Sequence, residues 1–376
     1  MNQKEVRELR RRWTSDKTAV TGIYGYYINA GTREIIAQTE ESLGLMGEEE
    51  QEKYLSLLRR CLSGTLGKNL LDVSFTTEAV REGEEQALLS ALCASGLKDE
   101  TARMRLVDKL VETVEQEEEN YLILLAAESY DVPWKSKDDT VMEDASETVF
   151  RYFLCAVCPV KGGKVQLGYD ADLREFHTFL PTHTVSSPEF GFMYPAFDGR
   201  RSNIYGALYY VKGTETVYPE IIDALFRTEP PLAAGEQKQC FETLLAQSLR
   251  EDCSMEVVQS VNQQLRDMLS AHKEAKESEP LTLTAGEMAS VLVESGVPEE
   301  KARSFCGACD DSFGADPILR PENLIDTRTY SVSTPQIKIT LAPENSWMIR
   351  TETIEGRKYI LIPADEEVEV NGIPVQ

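Results

Sequence analysis

Two apolar runs, Tyr121 to Ala127 and Val149 to Val160, interrupt an otherwise mixed pattern of hydrophobic and polar positions. Both are short, and the second is rich in aromatic and β-branched residues and meets Pro159 near its end, so they read as strands of a sheet core. Periodicity alone leaves a buried helix as the alternative. The polar crossing between them, Ser129 to Glu147, carries Tyr130-Asp131-Val132-Pro133 and Met142-Glu143-Asp144. Upstream the period is mainly helical. Val6, Leu9 and Trp13 form a stripe at i, i+3, i+7, and helices are predicted over Glu48 to Leu66, Glu84 to Ala94 and Glu100 to Val114, the last capped by Asp99. A hairpin is predicted where Ala19 to Ile28 alternates, breaks at Asn29-Ala30-Gly31-Thr32 and resumes over Glu34 to Gln38.

Downstream, Lys164 to Tyr169, Glu175 to Leu180, Phe190 to Phe197 and Ile204 to Val211 read as strands with turn-sized connections. Such spacing favours antiparallel pairing, because a parallel crossover needs about a dozen residues or more; only the Ser129 to Glu147 crossing is long enough to be one. Helices follow over Pro219 to Phe226, Gly235 to Arg250 and Ser254 to Lys276, then a charged linker, Lys273 to Pro280. Beyond it, Gly296 closes one helix and Pro298 opens the next. From Tyr330 onward, short strand-like segments are separated by Glu355-Gly356 and Asn371-Gly372. The expected architecture is α+β: a central, mostly antiparallel sheet with flanking helices and a small C-terminal β unit. Its expected parts are a mainly helical region with a hairpin (1–118), the sheet with its following helices (119–276), and a helical hairpin with the β unit (281–376).

Charge and composition narrow the function classes. The 376 residues are 41% hydrophobic, enough for sizeable cores, and carry 64 acidic against 39 basic side chains for a formal charge of −25. That charge repels phosphate backbones and anionic membranes, leaving the N-terminal arginines Arg7, Arg10, Arg11 and Arg12 as the one local basic candidate. A solvated helix face is the simpler account of them. No apolar run approaches the roughly 18 to 20 residues of a spanning helix, and the first residues lack the apolar core of an export signal. Eight cysteines, several inside apolar periodic segments, suit reduced thiols in a cytoplasmic protein.

The segments Leu62 to Leu71 (LSGTLGKNLL), Glu119 to Leu125, Tyr130-Asp131-Val132-Pro133 and Met142 to Ser146 resemble a bacterial family known as a domain of unknown function. Phe192 to Asp198, Glu294 to Glu300 and Val368 to Ile373 extend the likeness over nearly the whole chain. The resemblance implies a full-length cytosolic protein of anaerobic Gram-positive bacteria, and it transfers no catalytic residue.

No motif carries a specific chemistry with the spacing and context it needs. Cys155-Ala156-Val157-Cys158 and Cys306-Gly307-Ala308-Cys309 look like zinc knuckles, but residues three apart on a strand face opposite ways, and the pairs lie far beyond the usual separation of about 15 to 20 residues. No metal and no cofactor is expected. Gly64-Thr65-Leu66-Gly67-Lys68-Asn69 lacks the phosphate-loop spacing, carries Asn69 where a hydroxyl belongs, and follows a helix; it reads as a helix stop and turn. His177 and His183 are interrupted by Pro181. The acidic runs Glu48 to Glu50 and Glu115 to Glu119 lack the alternation and central glycine of a calcium loop.

The best remaining candidate is the loop from Tyr194 to Asn203, where Asp198, Arg200, Arg201 and Asn203 could hold an anion or a polar partner group. If Glu128 and Asp131 approach it, a hydrolytic or phosphate-handling site becomes conceivable. The plain alternative is a hairpin turn at Asp198-Gly199. The leading expectation is therefore a non-catalytic interaction or regulatory protein with a protein partner. An enzyme using carboxylates and arginines near Asp131 and Asp198 comes second, and a nucleic-acid binder through the N-terminal basic helix third.

Overall fold

The computed structural model describes residues 1–114, 119–135, 141–163, 166–170, 173–179, 183–275, 277, 279–314, 317–364, 368–370 and 372–375. Two compact units emerge, Met1–Ala233 and Ala234–Gln376.

The first unit is built on a sheet. Its helices are α1 (Gln3–Arg10), α2 (Glu48–Arg60), α3 (Thr77–Glu82), α4 (Glu84–Ser95), α5 (Glu100–Thr113) and α6 (Pro219–Phe226). Its strands are β1 (Gly22–Ile28), β2 (Ile35–Ser42), β3 (Leu70–Ser74), β4 (Tyr121–Lys135), β5 (Val141–Gly162), β6 (Gln166–Asp170), β7 (Glu175–Phe179), β8 (His183–Val185), β9 (Phe190–Tyr194), β10 (Ala196–Asp198), β11 (Arg201–Asn203) and β12 (Gly206–Val211). Among the described residues, eight of these form one sheet in the order β2-β1-β4-β5-β9-β12-β3, with β8 joined to the end of β5. Each of these pairings is antiparallel.

The two apolar runs are the middle of this sheet because helices cover both its faces. Ile123, Leu125, Phe153 and Cys155 pack with Leu89, Leu106 and Ile222 of α4, α5 and α6. Leu124, Ala126, Leu154 and Cys158 pack on the other face with Leu9 of α1 and Leu55 and Leu58 of α2. Strands buried on both faces lose the polar alternation that marks a half-exposed one. Close approach is extreme at Gly191 on β9, where a Cβ would lie 2.5 Å from the Cys155 carbonyl oxygen and 2.5 Å from Cys61 Sγ. Only glycine admits α2 to that notch.

The Ser129 to Glu147 crossing is no crossover. β4 and β5 run antiparallel in continuous register from Tyr121 opposite Pro159 to Lys135 opposite Val141, with irregularities around Pro133. The pattern explains it: beyond Ala127, burial alternates, with Glu128, Tyr130 and Val132 buried and Ser129 and Asp131 exposed. Past the helices of one layer, only one face of the ribbon is covered. Residues 136–140 lie outside the described residues, as do 115–118 of the expected acidic run.

In the second unit, α7 (Ala234–Leu249), α8 (Met255–Glu274), α9 (Ala285–Glu294) and α10 (Glu299–Phe313) surround a core of Phe241, Leu245, Val261, Leu265, Met288, Leu292 and Phe305. α7 and α8, expected beside the sheet, share this core instead, and strands of the 1–118 part lie in one sheet with β4 and β5. Periodicity identifies a helix's apolar face, not the core that receives it. Beyond α10, among the described residues, antiparallel hairpins pair Tyr330–Ser333 with Lys338–Leu341, Arg350–Ile354 with Arg357–Leu361, and Val368–Val370 with Ile373–Val375. Glu355 and Gly356 both adopt positive φ, 50° and 78°, as a two-residue hairpin turn requires. Among the described residues, no helix is long and apolar enough to cross a membrane.

Candidate functional site

Asp198 and Arg201 pair across a two-residue hairpin between β10 and β11, with Gly199 at φ 57° and Arg200 at φ 60°. Left-handed backbone is unfavourable for arginine, so something must hold it. The holder is α1. Asn2 caps this helix and Glu5 closes the capping box, its Oε2 accepting from Asn2 N at 2.8 Å, while its Oε1 accepts from Arg200 N at 3.0 Å. One turn on, Glu8 accepts from Arg200 Nη1 at 2.6 Å and from the Tyr130 hydroxyl at 2.6 Å. Arg200 Nη2 donates to the Pro133 carbonyl at 2.9 Å, so the Asp198 loop does meet the β4 extension.

A second carboxylate anchors the same helix. Arg12, just past α1, lies 4.2 Å over the Tyr130 ring and reaches Glu128 Oε1 from Nε at 2.9 Å and Nη2 at 2.8 Å. Glu128 is 3% exposed and also accepts from the buried Tyr152 hydroxyl, which in turn accepts from Trp13 Nε1 at 2.9 Å. Burial, then the neighbouring Glu128 charge, pushes the Tyr152 hydroxyl pKa well up. Burial, then its hydrogen bond to Glu8, raises Tyr130 to about 12. Both phenols therefore stay protonated as donors, and Glu128, a buried carboxylate with one guanidinium, the Tyr152 hydroxyl and the Ala19 backbone N–H as partners, is a satisfied group.

The expected site residues separate. Glu128 and Arg200 are tied into one network through Arg12, Tyr130 and Glu8. Asp131 is exposed, and so is Arg201. Asp198 is 55% exposed with Oδ1 at 3.6 Å from the Met1 amino group. Tyr194 belongs to the opposite face of the sheet, where its hydroxyl meets Gln86 Nε2 at 3.0 Å, Ser90 Oγ at 2.9 Å and the Ile204 carbonyl at 3.2 Å. Asn203 turns onto its own loop, its Oδ1 accepting from Tyr205 N at 3.0 Å.

Arg12, expected on a solvated face, instead joins Glu5 and Glu8 in the seam between α1 and the β4 ribbon. Their i, i+3, i+7 spacing runs beside the Val6, Leu9, Trp13 stripe, and Glu128 and Tyr130 share one strand face, so the signal was present as two matching periods. Lys4, Arg7, Arg10 and Arg11 are exposed.

The other motifs resolve as packing. Cys155 and Cys158 face opposite helical layers, and burial lifts both thiol pKa values, Cys158 to about 12. Cys309 is buried, while Cys306 Sγ donates to the Ala285 carbonyl at 3.2 Å. Among the described residues no group of three or more histidine, cysteine or acidic side chains could hold a metal ion. Asn69 of the glycine-rich turn clips the sheet, its Nδ2 donating to the Val211 carbonyl at 3.1 Å. His183 is exposed, and the His177 side chain lies outside the described residues.

No curated protein matches the chain. Residues 1–373 match the family described as Domain of unknown function (DUF4317), and the chain belongs to that family.

Proposed function

We propose that this is a non-catalytic interaction protein that captures a partner protein through the arm formed by β6 and β7. The arm lies in the chain between the end of β5 and β8, which pairs back onto that end. Leu167, Tyr169, Leu173 and Phe176 are 72, 55, 65 and 72% exposed on it, and Tyr169 and Phe176 meet across the two strands with ring centroids 5.2 Å apart. Scattered apolar side chains on a surface are ordinary, but a cluster on one two-stranded ribbon favours an interface. The exposure of Leu167, Tyr169 and Phe176 together is the observation that carries the reading. The carboxylates and guanidinium that could have served catalysis at Glu128 and Arg200 are committed to each other's neighbourhood instead.

The partner's chemistry follows from charge. A chain at −25 steers toward itself a surface with a basic rim around an apolar centre. The same reading places the protein in the cytoplasm, where its eight free thiols stay reduced.

The test replaces Leu167, Tyr169 and Phe176 together by Ser. Exposed positions change stability by only about 0.5 kcal/mol each at most, so the variant folds. Wild-type protein used as bait should retain a basic partner in low salt, release it as salt rises, and lose it in the variant. A partner that the triple variant retains equally would refute the arm as the interface.

A further inference from the structure

Arg10 in the last turn of α1 and Arg59 and Arg60 in the last turn of α2 line a cavity of about 240 Å³ with Ser56, Ser63, Ser187 and the single apolar residue Leu57. A cavity lined by three guanidiniums is the reverse of what a chain at −25 supplies by default. Arg59 is committed, donating to the Trp13 carbonyl at 3.2 Å and to Glu52 at 2.9 Å. Arg10 and Arg60 are exposed and, among the described residues, form no ion pair. Glu189, close in sequence to Ser187, is engaged with Lys212 at 2.9 Å.

Helix ends alone do not account for this charge. A helix C-terminus carries about half a negative charge, so two ends and Glu52 leave about one positive charge of the three guanidiniums unmatched. Like charges around one cavity repel, and an anion placed between them relieves that repulsion. Arginine's planar fork suits tetrahedral oxyanions in particular, because two N–H groups reach two oxygens at once. Of the hydroxyls, Ser63 donates to the Arg59 carbonyl at 2.9 Å and Ser56 to the Lys53 carbonyl at 2.8 Å, leaving Ser187 to donate to a ligand. The volume lies below the roughly 300 Å³ at which pockets begin to accept drug-sized molecules, so it suits a phosphoryl group and little of its parent.

We propose that this cavity binds the phosphate group of a small phosphorylated molecule, gripped by Arg10 and Arg60. The site is separate from the β6–β7 arm, so neither proposal depends on the other.

Titration calorimetry with inorganic phosphate and with glycerol 3-phosphate, at fixed ionic strength against a chloride control, tests it on the full chain. Saturable binding should weaken at least tenfold in the Arg10→Gln/Arg60→Gln variant, whose substitutions are exposed, and recover in part with Arg60→Lys. Tighter binding of the ester than of inorganic phosphate identifies a metabolite, and the reverse identifies the free ion; either supports the site. Absence of saturable binding by wild-type protein, or equal binding by the double variant, overturns it. A phosphoserine peptide binding tenfold more tightly than both small probes would overturn the assignment to a small molecule.

Discussion

Arg10 and Arg12 stand two residues apart, yet one is part of the fold and the other is left to solvent and a cavity. Arg12 lies over Tyr130 and meets Glu128, whose side chain is fully buried. Arg10 lines a cavity with Arg59, Arg60 and three serines, and among the described residues it forms no ion pair. The difference comes from what each meets. β4 alternates Glu128, Tyr130 and Val132 toward α1, so a guanidinium arriving there finds an acceptor already desolvated, whereas the last turn of α2 presents only more arginines. A basic side chain becomes structural when strand period and helix period bring opposite charges together, and becomes available for a ligand when they bring like charges together.

Glu128→Ala strikes the structural half hardest. It removes the acceptor of Arg12 and Tyr152 at once and leaves a partly buried guanidinium unpaired, which costs about 3 to 5 kcal/mol. Denaturant unfolding of the variant measures this directly. A loss below about 1 kcal/mol would mean that water replaces Glu128 cheaply and that the network does not fix α1 on the sheet.

Such a network is hard to read from residues alone, and the reason is geometric. The two apolar runs, the Asp99 and Ser254 caps and the Gly296 turn are local signals, and the corresponding strands and helices stand where their periods place them. The antiparallel sheet followed from short connections. β3 was invisible because Leu70, Leu71 and Val73 are three apolar residues after a turn, and only pairing with β12 makes them a strand. Glu8 and Tyr130 are 122 residues apart, and Arg200 and Glu8 are 192 apart, so their meeting depends on the assembled sheet. The role of Asp131 turns on one residue: Tyr130 and Val132 are buried, and Asp131 between them lies on the exposed face of the strand.

Alkaline titration sharpens the comparison at intermediate size. Tyr130 is held protonated to about 12 by burial and by its bond to Glu8, against roughly 10 in an unfolded chain. A folded pKa above the unfolded one means that the stabilisation is complete below about pH 10 and is lost as pH rises toward 12. Tyr130→Phe should cost about 1 kcal/mol at neutral pH through the lost hydrogen bond, and its stability should then fall less steeply than wild type across that window. Parallel curves for the two proteins would show that Tyr130 does not carry the alkaline loss.

The smallest effect lies at Arg10. Arg10→Gln removes one of three like charges around the cavity, a gain, and one cation from the last turn of α1, a loss of about 0.3 to 1 kcal/mol. The two nearly cancel, so stability should move by no more than about 0.5 kcal/mol, and that residue of an effect should vanish in 1 M salt, where screening acts within about 3 Å. Arg12→Gln in the same background leaves Glu128 buried without its guanidinium and should cost at least about 2 kcal/mol more. If both substitutions cost the same, the division of this short segment into a structural arginine and a free one is wrong, because the carboxylate would then be indifferent to which cation it meets.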